Sequence, residues 1–402
     1  MTQRWDSPKG RVLLGCDCVS HCFRIFRYTI FFAPCLAPKS PLANSQFYCL
    51  TTPCGKISIW WNIITDPGCK LEKILSAEPK DYEEIQRFLE DAYGHSYNYF
   101  PNAYPTVWRK ETTDYRHTYL IREEKKIVSL VRLFPLDLIL GPISVKAAGI
   151  GGVASSPSAR GKGYMNQLMK YAAARMKEEG FPISVLGGDR HRYQAFGYEN
   201  AGKTLNLTIT QRGFRKAGLK SIIPERYQGE KDLLTKIITS YENHPYRKVR
   251  TKEEYVSLYQ KPGLLLFCAD NGCDFGYLVL SDKSGRNSCV EFGGNSVTIL
   301  GIAGYAMERF GLSSLNFFFP EKSIIPEPIL QAASEWNITS STMLKIVDLE
   351  NTVSLFTAQS EKGKIPDIYS LKTLTETEQV SALFGTFPGS PFNIFLWPLD
   401  HI

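Results

Sequence analysis

The middle of the chain alternates apolar runs with glycines in an order that predicts strand, turn, helix and strand. An apolar run ends at Ser155, and glycines follow at 161 and 163. Residues 164–179 carry apolar side chains at helical spacing, and Gly180 stands where a left-handed C-cap belongs. Residues 182–188 then predict a short buried strand. The apolar positions of the helix are Met165, Leu168, Met169, Ala172 and Met176.

An earlier strand and helix precede this unit. Residues 71–75 predict a strand, 76–79 a turn and 80–93 a helix with one apolar face. Aromatic residues are then dense in loop-like sequence. They include Tyr97, Tyr99, Phe100, Tyr104 and Trp108.

A second stretch repeats the order of elements. Strands are predicted over 264–268, 274–280, 290–292 and 315–319, with a helix over 296–310 that ends at Gly311. The sequence that enters this helix has no arginine and no Gly-x-Gly. We therefore expect the second copy to keep the fold without an anion site.

The last part of the chain has a different pattern. Residues 343–349 predict a strand and 374–384 a helical stretch. The chain then ends on an apolar segment, 391–402, which we expect to be buried.

The glycine turn carries the clearest chemistry. Gly161 and Gly163 allow successive backbone N–H groups to point into one concavity, and the helix behind them adds its positive dipole end. Arg160 and Lys162 add positive charge. This geometry binds a pyrophosphate, whereas a lone Gly-x-Gly would be an ordinary turn just as often.

Composition sets limits on the function. The chain has 402 residues, enough for two or three domains, with 43% hydrophobic and 22% charged residues. The net charge of +7 is spread along the sequence without a long basic run. A nucleic-acid surface is therefore not indicated, and an anionic cofactor accounts for the charge equally well.

The first 69 residues differ from the rest of the chain. They hold seven of the ten cysteines, without a Cys-x-x-Cys pair. The odd number argues against a closed disulfide framework, and the spacing argues against zinc. An apolar run near residue 30 resembles a signal peptide but is broken by Pro34 and is too short to span a bilayer. We interpret residues 1–69 as a poorly specified, Cys-rich extension.

The two central motifs together resemble the GNAT superfamily of N-acetyltransferases. The acetyl-CoA loop of that family reads Arg/Gln-x-x-Gly-x-Gly/Ala, and its last motif often reads Tyr-x-x-x-Gly-Phe/Tyr. Arg160, Gly163, Tyr193, Gly197 and Tyr198 match these positions. Met165 departs from the pattern, since Gly or Ala is usual there.

The order of the predicted units resembles the Eis-type (enhanced intracellular survival) acetyltransferases. This resemblance implies an α/β fold of the α+β type with mixed sheets, in which tandem GNAT folds precede a small C-terminal domain. The implied domains are a catalytic GNAT domain at 70–222, a degenerate GNAT-like domain at 223–335, and a short sterol-carrier-like domain at 336–402.

The resemblance also implies the site. Acetyl-CoA is the expected co-substrate, without a metal, and it would be held by Val153, Ala154, Ser155, Arg160, Gly161, Lys162, Gly163 and Tyr164. Tyr193 would be the general acid and the carboxylate of Ile402 the base, with Asp400 and His401 as further candidates. The alternatives are a packing tyrosine and an ordinary buried tail.

The sequence indicates the acceptor site less specifically. In this superfamily the region after the first helix lines the acceptor site, so Tyr97, Tyr99, Phe100 and Trp108 are the expected substrate-binding residues. Otherwise these rings simply fill the end of the domain. Acidic residues near the presumed mouth, such as Glu83 and Glu84, are more often solvated surface charges.

The predicted function is acetyl transfer to a primary amine by direct attack, in the cytoplasm. The amine would belong to an aminoglycoside-like polyamine or to a protein lysine. We expect no nucleic-acid or membrane partner, and a homo-oligomer is left open. The alternative is a noncatalytic regulatory protein that binds acyl-CoA.

Overall fold

A computed structural model describes residues 73–281, 287–321, 323–360, 365–386 and 389–401. The chain divides into one unit at Met1–Leu71, outside these ranges, and a second at Glu72–Ile402. The expectation for residues 1–69 therefore lies outside the described residues. The second unit has a mixed α/β fold, as predicted.

The strands are short in the second half of the chain and long in the hairpin that precedes the glycine turn. They are β1 (Leu75–Ser76), β2 (Thr118–Glu123), β3 (Lys126–Leu140), β4 (Ile143–Ser155), β5 (Ile183–Leu186), β6 (Glu199–Ala201), β7 (Thr204–Thr210), β8 (Glu225–Arg226), β9 (Tyr246–Lys248), β10 (Leu264–Asp270), β11 (Phe275–Ser281), β12 (Cys289–Gly294), β13 (Ser314–Pro320), β14 (Ala333–Thr339) and β15 (Thr342–Ile346).

The two longest helices follow the two glycine-rich turns. The helices are α1 (Tyr82–Tyr93), α2 (Tyr99–Ala103), α3 (Pro105–Trp108), α4 (Tyr164–Glu178), α5 (Arg190–Tyr193), α6 (Gln211–Lys216), α7 (Lys231–Glu242), α8 (Lys252–Tyr259), α9 (Ser296–Phe310), α10 (Glu327–Ala332), α11 (Leu349–Phe356), α12 (Ile368–Lys372) and α13 (Glu376–Phe384).

The largest sheet has the order β1-β2-β3-β4-β5-β15-β6, and β9 pairs with β3. Its one parallel pair joins β4 to β5, and α4 crosses between them. The inner face of α4 is buried through Leu168, Met169, Ala172 and Met176, which is the predicted face. Gly180 follows with a φ of 78°, a left-handed conformation that favours glycine.

Two smaller sheets complete the unit, with the orders β12-β11-β10-β8 and β13-β7-β14. Strands from distant parts of the sequence are therefore neighbours. β15 lies between β5 and β6, and β13 pairs with β7. The predicted domain boundaries at 222 and 335 both separate strands that share a sheet, and the division into domains stays a prediction.

Candidate functional site

The candidate site lies where β4 and β5 separate. These strands pair from Ala147 to Ile150 and from Ile183 to Leu186, and beyond that point they diverge. A cavity of about 200 Å³ lies at this place. Its walls come from both strand ends, from β15 and from the C-terminal segment, and they include Gly149, Ile150, Leu186, Gly188, Thr342 and His401.

A bulge in β4 lies beyond the paired residues. The register against β3 shifts so that Gly152 and Val153 together lie opposite Val131, and such a bulge takes a residue out of the hydrogen-bond ladder. Gly152 has a φ of 60°, and a Cβ there would lie 2.9 Å from the ring of Trp108. The phenol of Tyr93 donates to the carbonyl of Val153 over 3.0 Å. Sequence analysis missed this tyrosine, because nothing in the local pattern links it to a strand 60 residues away.

Val153 and Ala154 are buried, and Ser155 is half-buried. The hydroxyl of Ser155 lies 2.8 Å from that of Ser129 on β3. The three residues at the end of β4 that sequence analysis selected therefore lead from the bulge directly into the glycine loop.

The glycine loop has the conformation that its sequence predicts. Gly161 and Gly163 have φ values of 80° and 77°. Gly163 occupies the N-cap of α4, where no side chain caps the helix, so the first-turn N–H groups of this helix receive no capping side chain. The whole segment 160–163 is exposed to solvent.

The two cations of the loop are not equivalent. Lys162 forms an ion pair with Glu123 at 2.7 Å, and the buried Tyr164 donates its phenolic hydrogen to the same carboxylate over 2.5 Å. In the described part of the chain, Arg160 has no ion-pair partner. Arg160 is thus the available cation, whereas the charge of Lys162 is balanced.

The second repeat lacks this arrangement. Asn295 caps α9, and its side-chain oxygen accepts from the N–H groups of Val297 and Thr298 at 2.9 and 3.1 Å. The donors that remain open at α4 are therefore occupied at α9. The start of α9 therefore differs from the start of α4, and the absence of an anion site from the second copy stays a prediction.

Tyr193 packs against Gly188, which belongs to the cavity wall. It is 6% exposed, and a Cβ on Gly188 would lie 2.5 Å from Cε2 of the tyrosine ring. Burial raises the pKa of Tyr193, so the phenol is protonated at neutral pH and can donate a proton. Burial, and secondarily the neighbouring phenol of Tyr193, raise the pKa of Tyr93 to about 12.

The C-terminal segment reaches the same cavity. Asp400 and His401 both line it, and Ile402 lies outside the described residues. Arg250 holds Asp400 through two hydrogen bonds of 2.8 Å, and Tyr241 donates to the same carboxylate over 2.9 Å. The carboxylate of Asp400 is therefore held in place by Arg250 and Tyr241, and its proton-transfer role stays a prediction.

Arg250 completes a buried charge network. Its guanidinium also donates to Glu291 over 2.6 Å, and the side chains of Arg250 and Glu291 are fully buried. Burial opposes the charge of Arg250, but the carboxylates of Asp400 and Glu291 outweigh it and raise the pKa of Arg250. Burial raises the pKa of Glu291. Sequence analysis missed this network, which joins the second repeat to the chain terminus.

The four aromatic residues predicted to bind the acceptor lie in different environments. Tyr97 is 65% exposed and Tyr99 is half-buried, whereas Phe100 and Trp108 are buried. The guanidinium of Arg132 lies 4.6 Å from the ring of Trp108. Among the described residues that line the cavity at the strand split, none belongs to this aromatic group. Phe100 and Trp108 thus pack in a core, and the two tyrosines remain accessible.

Within the described ranges, no cluster of His, Cys, Asp and Glu could hold a metal ion. No helix among the described residues is both long enough and apolar enough to cross a membrane.

Comparisons with known proteins match part of the chain to a known family. Residues 73–201 match the family model of the acetyltransferase (GNAT) domain. None of the curated proteins matches the sequence. Solved structures match over more of the chain. Their sequence identities to it are low, so they show only that the fold is similar.

Three of these structures are similar over most of both chains. A GCN5-related N-acetyltransferase from Kribbella flavida has a TM-score of 0.54 and 15% identity, over 72% of this chain and 75% of its own. A probable N-acyltransferase from Enterococcus faecalis has a TM-score of 0.53 and 19% identity, over 71% and 74%. Eis1 from Mycobacterium abscessus has a TM-score of 0.51 and 13% identity, over 70% and 75%. Residues 73–201 are therefore a GNAT acetyltransferase domain, and the protein that carries it is an acyltransferase.

Proposed function

We propose that this protein transfers the acetyl group of acetyl-CoA to a primary amine by direct attack, in the cleft where β4 and β5 separate. The observation that carries the proposal is the cavity where the parallel strands separate. Its wall includes the C-terminal segment at His401 and Gly188, against which the buried ring of Tyr193 packs.

The cofactor would lie along the end of β4 and on the glycine loop. Backbone groups of Val153, Ala154 and Ser155 are proposed to bind the pantetheine arm, next to the bulge that interrupts the ladder. Gly161, Gly163 and the open start of α4 would hold the pyrophosphate. Arg160 supplies most of the charge, with a smaller share from Lys162 because Glu123 already pairs with it. Tyr164 is buried, so its proposed part is limited to its backbone.

The chemistry needs one acid and one base. The amine nitrogen forms a bond to the thioester carbonyl carbon, and the carbon–sulfur bond then breaks. Tyr193 donates its proton to the departing thiolate, and a phenol whose pKa burial raises is protonated for that task. The proton lost by the amine goes to the carboxylate of Ile402. The products are an acetamide and free CoA.

Arg250 is proposed as a positioning residue for this base. The guanidinium of Arg250 donates one hydrogen bond to each carboxylate oxygen of Asp400. In the sequence, Asp400 lies two residues before Ile402. A chain end would otherwise fray. The buried ion pair therefore holds Asp400, within the described segment that precedes this carboxylate, in place.

The acceptor is proposed to be an aminoglycoside-like polyamine or a lysine side chain. Of the four aromatic residues that we assign to its binding, Tyr97 and Tyr99 are the accessible ones. Their rings could stack on an amine-bearing ligand or attract its cation. Phe100 and Trp108 would support them from the core, since Tyr99 contacts Phe100 with ring centroids 5.4 Å apart.

The direct test is a screen of polyamines and lysine peptides with acetyl-CoA, in which the release of free thiol is measured. We expect thiol release that depends on the amine. In the variant Tyr193→Phe, kcat should fall about 10²–10⁴-fold while the KM for acetyl-CoA changes little. Tyr369→Phe is the matched control, because Tyr369 is 76% exposed. Slow hydrolysis without any amine dependence, or full activity in Tyr193→Phe, would overturn the proposal.

A further inference from the structure

The second repeat contains a larger cavity than the proposed active site. β12 and β13 are joined by a parallel bridge between Ser288 and Asn316. A cavity of about 600 Å³ lies at the other ends of these strands, where Gly294 and Pro320 belong to its wall. Its walls include Phe292, Ile299, Phe319, Ile324, Ala358 and Trp397.

Three polar side chains of the wall already have partners within the protein. His244 donates from Nε2 to the carbonyl of Phe292 over 2.7 Å, and the indole of Trp397 donates to the carbonyl of Tyr246 over 3.0 Å. The amide of Gln359 donates to Leu140 and accepts from the backbone of Asn393. These groups therefore present their apolar faces to the cavity.

The wall also lacks charge. The described lining residues include no Lys, Arg, Asp or Glu. Burial lowers the pKa of His244 to about 4, so this ring is neutral at physiological pH. The start of α9 is capped by Asn295 and offers no anion site. At the rim, Ile324 is 96% exposed, so the entrance is apolar as well.

We propose that this cavity binds an uncharged, apolar small molecule, such as a hydrocarbon chain or a fused aromatic ring system. Its volume falls within the range of about 300–1,000 Å³ that is typical of small-molecule sites. The absence of charge from the described wall disfavours an anionic ligand, because a buried charge without a partner is costly. The site is separate from the strand split at β4 and β5 and does not depend on the proposed transfer reaction.

The experiment titrates the full chain with N-phenyl-1-naphthylamine, a neutral fluorescent probe. Binding should be saturable at one probe per chain, with energy transfer from tryptophan because Trp397 is part of the wall. Ala358→Trp should fill the cavity from an exposed position, and Ile324→Lys should place a charge at the rim. Each is expected to weaken binding at least tenfold.

Two matched controls identify the site. Leu330 is 47% exposed and Ala174 is exposed, and neither belongs to the cavity wall. The variants Leu330→Lys and Ala174→Trp should bind the probe like the unchanged protein. Equal binding by all four variants, or no saturable binding, would refute the proposal. Displacement of the probe by acetyl-CoA would show that the cavity accepts an anion, and a dimer that excludes the probe would show that a second copy covers it. Either result would also overturn the proposal.

Discussion

Removing the guanidinium of Arg250 should destabilise the fold strongly. In the variant Arg250→Met, the side chains of Glu291 and Asp400 would remain 0% and 2% exposed without their cation. Removal of one partner from a buried ion pair costs about 3–5 kcal/mol in the free energy of unfolding. By contrast, Lys372 and Glu350 form a surface pair with side chains 49% and 70% exposed. Lys372→Met should therefore cost less than about 1 kcal/mol.

The loss of stability caused by Arg250→Met should depend on pH. Burial already raises the pKa of Glu291, and without Arg250 it should rise further. The folded variant then binds protons more tightly than the unfolded chain, so its stability falls as pH rises from the unfolded carboxyl pKa, about 4. The difference from the unchanged protein should be small near pH 4 and largest at pH 7. Urea unfolding followed by tryptophan fluorescence at both pH values measures it.

A triple variant separates the effect of Arg250 on stability from its proposed effect on the position of the base. Neutralising all three groups, as in Arg250→Met with Glu291→Gln and Asp400→Asn, removes the unpaired charges and should restore at least half of the lost stability. Turnover should stay low, because the terminal segment has lost its anchor. A loss in Arg250→Met no larger than in Lys372→Met, or full turnover in the neutral triple variant, would refute the reasoning.

Three further outcomes are expected. In calorimetry, Arg160→Ala should weaken acetyl-CoA binding more than Lys162→Ala, because Glu123 already pairs with the lysine; equal losses would contradict this reading. The same measurement should return one acetyl-CoA per chain, since Asn295 caps the second helix, and two equivalent sites would be inconsistent with that cap. Burial lowers the pKa of His244 from 6.5 to about 4, so the neutral ring contributes fully to stability above pH 6.5. As pH falls from 6.5 towards 4, the free energy of unfolding, measured with urea, should decrease by about 3 kcal/mol. The variant His244→Gln should lack this decrease.

Local patterns predicted local structure well. The helix expected over 296–310 is α9 with the same bounds, and Gly311 caps it with a φ of 63°. The helix expected over 164–179 ends one residue earlier. Both predictions rest on the spacing of apolar residues and a terminal glycine, which act within a few residues of each other. Of the strand expected over 71–75, residues 71 and 72 lie outside the described residues, and β1 spans Leu75–Ser76.

Pairings between distant segments were not predictable in this way. β15 carries a strand pattern, but nothing in that pattern indicates that it joins β5. The contact between Arg250 and Asp400 joins residues 150 positions apart. The strand expected over 343–349 ends at Ile346, where Asp348 instead caps the next helix.

In the candidate site, too, local features were predictable from the sequence and contacts between distant residues were not. The glycine loop was predictable because its chemistry lies within residues 160–163, which are consecutive. The burial of Trp108 was not, because it depends on Gly152 and Arg132 from two strands. An aromatic cluster in a loop predicts the wall of a binding site or a packed core equally well, and only the packing partners distinguish the two.

The most direct test of the account concerns the terminal carboxylate. One glycine added after Ile402 moves that carboxylate while it leaves every existing side chain in place. We expect kcat for amine acetylation to fall about 10²–10⁴-fold, the usual loss for a general base, while calorimetry gives an unchanged Kd for acetyl-CoA. Full activity in the extended protein would contradict the account and would remove Ile402 from the mechanism.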